Sequence, residues 1–247
     1  LFFTLLVVVL GNNLRNKLLL GKDYNKTIEH LLMGRSLTMP MFVATLVATW
    51  YGGIFGVTQL AFEKGLFNFL TQGVFWYLSY IIFAFFIVPK ISTFKDACTL
   101  PDILRQKFGP KSEFIGALFN LFDIIPVAYV ISIGLFVSLI TGLAFKISML
   151  IGLCFAVIYS LFGGFRAIVF SDIFQFIIMF VSVILVVLFS QKKYGGYQFL
   201  KQNLPDSHWS FIGEDLSQTF IWGFIALSTL VNPNFYHRCF AAKSSTV

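Results

Sequence analysis

Long uncharged apolar runs follow one another along the chain and indicate the structural class of the protein. They occupy residues 36–62, 65–89, 147–165, 173–191 and 216–236, and a further run at 114–145 is interrupted only by Asp123. A helix needs about 20 apolar residues to cross the hydrocarbon core of a bilayer. Because the runs are continuous rather than alternating, they favour helices over barrel strands. The pattern predicts an all-α polytopic membrane protein with six full spans and a partial span at 1–10.

Composition narrows the class further. The 247 residues are 57% hydrophobic and 12% charged, and the mean hydropathy is +0.83. Soluble domains carry about 25% charged residues, so a soluble enzyme, a secreted disulfide scaffold and a nucleic-acid-binding protein are excluded as classes. The three histidines are scattered along the sequence, and we expect them to form no metal or catalytic site.

The net charge of +7 reflects membrane topology. With a cytoplasmic loop at 11–35, alternate loops place most of the 18 Lys and Arg residues on the cytoplasmic side. Since basic loops stay in the cytoplasm, the N-terminus is expected outside and the C-terminus inside, in a bacterial inner (plasma) membrane. A cleaved signal peptide at 1–20 is disfavoured, because Arg15 and Lys17 follow the apolar run instead of preceding it.

Two of the apolar runs contain residues that interrupt a helix. Gly52, Gly53 and Gly56 lie in the first full run, and 232–234 (Asn-Pro-Asn) lies in the last. Proline removes a backbone donor, and freed backbone at membrane depth is tolerated only where it is buried or lines a cavity. Such breaks at corresponding positions of two repeats indicate a transporter binding site. A close helix contact at the glycines and an ordinary kink at Pro233 are the alternatives.

Four short motifs occur in order between the predicted spans. They are Met33-Gly34-Arg35-Ser36-Leu37, then Thr99-Leu100-Pro101-Asp102 with Lys107-Phe108-Gly109, then Gly163-Gly164-Phe165-Arg166-Ala167 continuing to Ser171-Asp172, and Asn232-Pro233 followed by Arg238-Cys239. Together they resemble the signature segments of the sodium:solute symporter family, in particular its sodium/proline and sodium/pantothenate symporters. The resemblance covers essentially the whole chain.

The resemblance implies a leucine-transporter-like inverted-repeat fold and a division of the chain. Residues 1–36 would hold a partial first transmembrane helix and a basic cytoplasmic loop, and 37–190 the first five-helix repeat. Residues 191–215 would form an extracytoplasmic loop, and 216–247 the first helix of the second repeat with the start of a cytoplasmic segment. We therefore expect the N-terminal half of a symporter, with the C-terminal half as its partner.

The resemblance also implies roles for individual residues. Sodium is the expected coupling ion, bound by backbone carbonyls of Ala48 and Tyr51 and assisted by Asp172. For Asp172, a helix N-cap before 173–180 is an equal alternative. The solute is expected between the two broken helices, where the matching residues are Trp50, Gly52, Gly53, Ser228 and Asn232.

Three further residues are candidates for gating or coupling. Arg35 matches an arginine at the cytoplasmic mouth of the family, Asp123 is a carboxylate inside an apolar run, and Pro233 breaks the last span. The alternatives are headgroup contact for Arg35, and equally for Arg166, and a hydrogen-bonded or interfacial position for Asp123.

The sequence therefore predicts a transporter rather than an enzyme. Its function is sodium-coupled secondary active symport of a small organic solute by alternating access, with an amino acid such as proline or a small organic acid as the solute. The expected partners are the small-molecule solute and the lipid bilayer, without nucleic acid. A membrane sensory module of a signalling protein and a non-transporting fragment are the alternatives.

Overall fold

The computed structural model describes residues 9, 13, 26–51, 53–94, 96–212 and 216–244. Regular structure in these ranges is helical, apart from one isolated parallel bridge between Leu37 and Ala242. The longer helices are α1 (Lys26–Leu32), α2 (Met39–Tyr51), α3 (Ile54–Lys64), α4 (Leu66–Ile91), α5 (Leu100–Phe108), α6 (Pro110–Ile124), α7 (Val127–Thr141), α8 (Phe145–Tyr194), α9 (Tyr197–Asn203), α10 (Leu216–Leu227) and α11 (Pro233–Ala241). The prediction of an all-α polytopic membrane protein is confirmed.

Three helices in the described ranges are long and apolar enough to cross a membrane. They are α4, the α6–α7 pair (Pro110–Thr141) and Ser160–Tyr194 within α8, and a fourth is added if α2 and α3 count as one broken span. This number is lower than the six spans predicted. One reason is that two predicted spans and the turn between them form the single helix α8, which departs from helical geometry only at Gly164 (φ 62°, ψ −178°).

Both predicted interruptions occur where glycine and proline lie. Helix α2 ends at Tyr51 and α3 begins at Ile54. In the last run, α10 passes into a 3-10 turn over Ser228–Val231, and α11 begins at Pro233. The α6–α7 pair is also broken, because Ile125 and Pro126, two and three residues after Asp123, leave the helical conformation.

The described chain divides into two compact units. The first contains Leu1–Gly53, Phe86–Ile173 and Asn232–Val247, and the second contains Ile54–Phe85 and Phe174–Val231. The first unit therefore holds α1, α2, α5 to α7, the start of α8, and α11.

Small residues allow close helix contacts within the first unit. A Cβ added at Gly152 on α8 would lie 2.7 Å from a methyl carbon of Ile133 on α7, and one at Gly134 on α7 would lie 3.2 Å from the Met149 Cα on α8. Such small-residue contacts let helices pack closely in a membrane.

Helix α5 begins with a capping box, in which Asp102 Oδ2 accepts bonds from the backbone nitrogens of Cys98 (2.9 Å) and Thr99 (2.8 Å).

The second unit is organised around the corner between α3 and α4. Gly65 lies there at φ 57°, and an added Cβ would meet the His208 Cα at 2.6 Å. The His208 ring hydrogen-bonds through Nε2 to the Phe62 carbonyl at 3.0 Å. In the same unit Gly223 on α10 faces the Phe75 ring on α4.

Candidate functional site

Two threonines one helical turn apart on α2 lie at the centre of a buried polar cluster. Thr45 has no exposed surface, and its hydroxyl donates a hydrogen bond to Oδ2 of Asp172 on α8. The Thr49 hydroxyl donates to the Thr45 carbonyl at 2.8 Å, a common bond for threonine in apolar helices. Because residues i and i+4 share a helix face, both threonines lie on the same side of α2.

Arg238 on α11 completes this cluster. Its side chain is buried, and its Nη2 donates to the Thr45 carbonyl and hydroxyl oxygens, each at 3.3 Å, and to the Thr49 hydroxyl. Its Nη1 donates to the Asn234 carbonyl at 3.1 Å, whereas its Nε is buried without a hydrogen-bond partner. Arg238 therefore joins the start of α11 to the middle of α2.

A single hydroxyl connects the two buried charges. Thr45 Oγ1 accepts from Arg238 and donates to Asp172, and both charged side chains are less than a tenth exposed. An isolated buried charge costs several kcal/mol, which an opposite charge and hydrogen bonds offset. Asp172 lies inside α8, so the alternative that it caps a helix beginning at 173 is wrong.

Tyr129 and Asn232 extend the cluster towards the two helix breaks. The Tyr129 hydroxyl on α7 donates to the Thr49 carbonyl at 2.6 Å. Asn232 caps α11, because its side-chain oxygen accepts from the Asn234 backbone nitrogen at 2.9 Å. Proline at the first position of α11 suits this start, since its missing N–H would have no partner there.

A cavity lies beside these residues within the first unit. About 360 Å³ of space, part of it open to solvent, is lined by Leu46, Thr49, Trp50, Tyr129, Asn232, Asn234, Phe235 and Arg238. Its wall therefore combines three aromatic rings with two amides, two hydroxyls and one guanidinium group. None of these lining residues is acidic.

The structure brings several of the predicted site residues together. Trp50 and Asn232 line the cavity, Asp172 belongs to the adjoining cluster, and Ala48 is buried on the same helix as Thr45. Tyr51 is the last residue of α2.

Other predicted residues lie elsewhere. Gly52 falls outside the described residues, and Gly53 donates its N–H to the Trp50 carbonyl at 3.2 Å. Ser228 begins the 3-10 turn and belongs to the second unit. Asp123 is exposed near the end of α6 and does not line the cavity. Buried Pro233 begins α11.

A second buried cluster surrounds Arg166 on α8. Its Nε lies 2.6 Å from Oε1 of Glu29 on α1, and its Nη2 lies 3.2 Å from Oε2. Both side chains are buried. The interpretation of Arg166 as a headgroup contact is therefore wrong, because the guanidinium is enclosed in an ion pair. Arg35, predicted at the cytoplasmic mouth, donates to the Ala97 carbonyl at 3.0 Å.

His237 lies close to this second cluster on α11, outside the three helices that meet the spanning criteria. Its ring packs edge-on against the Phe165 ring with centroids 4.6 Å apart. Burial, with a smaller contribution from the charge of Arg238, lowers the pKa of His237 to about 4. The ring is therefore neutral at physiological pH.

Sequence reasoning missed the threonines and the pairing of the charges. A signal for the threonines is present, because two hydroxyl residues four apart in an uncharged run share one helix face. For Glu29 the signal is weaker, since it lies among basic loop residues and looks solvated. Arg238 was assigned only to a motif and to the count of cytoplasmic charges.

Comparison with known proteins gives the family. A model of the sodium:solute symporter family matches residues 30–247, which includes α2, α8, α11 and the whole first cluster. Of the second cluster, the match includes Arg166 but not Glu29. The chain belongs to the sodium:solute symporter family. Its members are transporters rather than enzymes, and the family name gives sodium as the coupling ion.

Individual relatives differ in the solutes that their names give. The chain is 26% identical over 231 residues to high-affinity choline transporter 1 of Drosophila melanogaster, an alignment that covers 88% of this chain and 37% of the relative. It is 24% identical over 235 residues to the protein of the same name from Caenorhabditis elegans (90% and 39%). It is 23% identical over 212 residues to the sodium/proline symporter of Staphylococcus aureus (79% and 39%). The chain thus spans less than two fifths of the length of these relatives.

Proposed function

We propose that this chain forms part of a sodium-coupled symporter that takes up a small organic solute by alternating access. The observation that carries the proposal is the cavity at both interrupted helices, where the last turn of α2 meets the start of α11. Interrupted helices around a cavity are the arrangement that secondary transporters use to bind ions and solutes. The missing C-terminal half of the family fold would be the partner that completes the pathway.

The end of α2 supports the proposed sodium ligands. The last four carbonyls of a helix have no partner within the helix, and in α2 these belong to residues 48–51. The Thr49 carbonyl accepts from Tyr129, and the Trp50 carbonyl accepts from Gly53. Ala48 and Tyr51 carry the remaining two of these four carbonyls, and the family resemblance is the reason for proposing them as sodium ligands. Asp172 is hydrogen-bonded to Thr45, one turn before Ala48, and would assist the ion.

The cavity wall supports an amino acid such as proline, or a small organic acid, as the solute. Trp50 and Asn232 would contact it, with Gly52 and Gly53 at the break after α2. Ser228, in the second unit, is proposed as a solute residue on the family resemblance alone. Because the Asn232 side-chain oxygen is used for the helix cap, its amide nitrogen is the group that faces a ligand as a donor. Aromatic rings would hold the apolar part of the solute, and the nearby guanidinium of Arg238 favours a carboxylate over a cation.

The remaining proposals concern the roles of the other candidates and the location. Arg35, Asp123 and Pro233 are proposed to contribute to gating or coupling, Asp123 because a carboxylate at membrane depth is costly without a function. We place the protein in a bacterial plasma membrane with its N-terminus outside and its C-terminus in the cytoplasm.

Uptake by proteoliposomes that contain the full-length protein tests this function. Labelled proline, lactate, choline and glucose are supplied under an inward gradient of sodium or of potassium. We expect sodium to drive accumulation of proline or lactate, and Trp50→Ala or Asn232→Ala to raise the half-saturating solute concentration. Asn203→Ala is the matched control, because that amide bonds only within α9, to the Phe199 carbonyl. Accumulation of choline or glucose alone would contradict the proposed solute class, and uptake without sodium would contradict the coupling.

A further inference from the structure

We propose that Arg166 closes a cytoplasmic latch that holds the ends of α2 and α11 together and must open when the transporter faces the cytoplasm. The latch consists of residues 29–37, Arg166 and residues 241–243. The proposal rests on the alternating access of the proposed function, and it assigns a conformational role to a buried ion pair outside the cavity.

One guanidinium group makes four polar contacts with residues 29–36, the first part of the latch. Arg166 binds both carboxylate oxygens of Glu29 and also donates through Nη2 to the Met33 carbonyl at 3.1 Å and to the Ser36 hydroxyl at 3.4 Å. Because α1 and the following turn bind the same side chain, loss of Arg166 releases both at once. Loss of one partner of a buried pair leaves the other charge uncompensated.

The turn that Arg166 holds has an unusual backbone. Met33, Gly34 and Arg35 have φ values of 55°, 64° and 54°. Only glycine adopts this left-handed region readily, so Met33 and Arg35 are strained. Such conformations persist only where the surroundings fix them, and they cluster at switch regions. Here Arg166 fixes the Met33 carbonyl and the Ala97 carbonyl accepts from Arg35.

The turn leads directly into a backbone connection to the other helix. The Leu37 nitrogen donates to the Ala241 carbonyl at 3.0 Å, and the Lys243 nitrogen donates to the Leu37 carbonyl at 2.9 Å. Leu37 has no exposed surface. Two residues later α2 begins, whereas α11 ends at Ala241, so the latch ties these two helices at the ends remote from the cavity.

The backbone connection at Leu37 makes access to the cavity depend on the latch. Helices α2 and α11 both line the cavity, and movement of either at its latch end would change access to the cavity from that side. While Arg166 holds the strained turn, the two ends are joined. When the pair with Glu29 separates, the turn can relax and the Leu37 connection can break.

Labelling of a buried position in the latch tests the proposal in the full-length protein. Leu37→Cys is introduced in a background without native cysteines, and its rate of reaction with a polar maleimide is measured in permeabilised membranes. Arg166→Gln is expected to raise this rate roughly tenfold, because the buried Glu29 carboxylate loses its counter-charge. Adding Glu29→Gln to Arg166→Gln is expected to reverse only the part of the increase that comes from the uncompensated charge, because the bonds of Arg166 to Met33 and Ser36 remain lost.

The matched control is the ion pair between exposed Arg105 and half-buried Glu113, whose closest atoms lie 3.6 Å apart. Arg105→Gln should leave the labelling rate unchanged, because exposed pairs contribute little. An equal rate in Arg166→Gln and Arg105→Gln would overturn the latch.

A second measurement does not depend on changing the ion pair. In the Leu37→Cys protein with Arg166 intact, labelling is compared in sodium chloride and in potassium chloride. A sodium-dependent change in rate supports a latch that moves with the transport cycle, and an invariant rate overturns it even if Arg166→Gln fails to fold. Uptake by the parent protein is measured in parallel. Loss of uptake there would refute the proposed function, whereas normal uptake with invariant labelling would refute the latch alone.

Discussion

The hydroxyl of Thr45 makes the sharpest prediction, because it connects two buried charges. In Thr45→Val the side chain keeps its shape but loses the bond to Asp172 and the oxygen that accepts from Arg238. Arg238 still donates to the Thr45 carbonyl and to the Thr49 hydroxyl. The main loss is therefore the hydrogen bond that the Asp172 carboxylate accepts from Thr45. A hydrogen bond to a charged group contributes roughly 1.5–3 kcal/mol. We therefore expect a destabilisation of about 2 kcal/mol, taken from this range.

The assay is thermal unfolding of the purified full-length protein in detergent. A loss of 1 kcal/mol lowers the melting temperature by roughly 2–4 °C in a domain of 150–250 residues and by less in a longer protein. Thr45→Val should therefore melt up to about 4–8 °C lower. Thr45→Ser keeps the hydroxyl and should remain close to the parent. Thr71→Val is the matched control, because Thr71 is equally buried but donates only within its own helix, chiefly to the Phe67 carbonyl at 3.0 Å. Equal melting of Thr45→Val and Thr71→Val would refute the bridging role.

Three further predictions concern other contacts in the first unit. Gly164→Ala should lower the melting temperature more than Gly142→Ala. Both glycines have a positive φ, but only the methyl group added at Gly164 would meet another side chain, the His30 ring at 2.8 Å. Arg238→Gln should abolish sodium-driven uptake and reduce the yield of folded protein. Arg238→Lys should keep part of that yield, because the lysine charge still compensates the buried Asp172 carboxylate. Equal yields of the two variants would contradict this prediction. Tyr129→Phe should cost about 1 kcal/mol for the lost neutral hydrogen bond, measured as a small decrease in melting temperature, and no decrease would show that the bond adds nothing.

The helix breaks could be predicted from the sequence because their causes are local. Glycine pairs and proline change the backbone preference of their own segment, and α2 and α11 end and begin at those positions. The number of spanning helices was less well predicted. The turn expected around Gly164 depends on one glycine, and the helix continues on both sides of it.

The polar clusters could not be predicted, because their partners are distant in sequence. Thr45 and Asp172 are 127 residues apart, and Thr45 and Arg238 are 193 apart. A buried and an exposed arginine look alike in a sequence. The topology prediction therefore counts Arg166 and Arg238 among the basic residues of cytoplasmic loops. Family motifs singled out Asp172 as a site residue, but gave no partner for it.

Sodium-driven uptake by the parent protein and by Asp172→Asn, measured side by side in proteoliposomes, tests the central claim most directly. We expect the parent to accumulate labelled proline or lactate only under an inward sodium gradient, and Asp172→Asn to need a higher sodium concentration or to lose uptake. Uptake by the parent that is independent of sodium, or an Asp172→Asn protein with an unchanged sodium requirement, would contradict it.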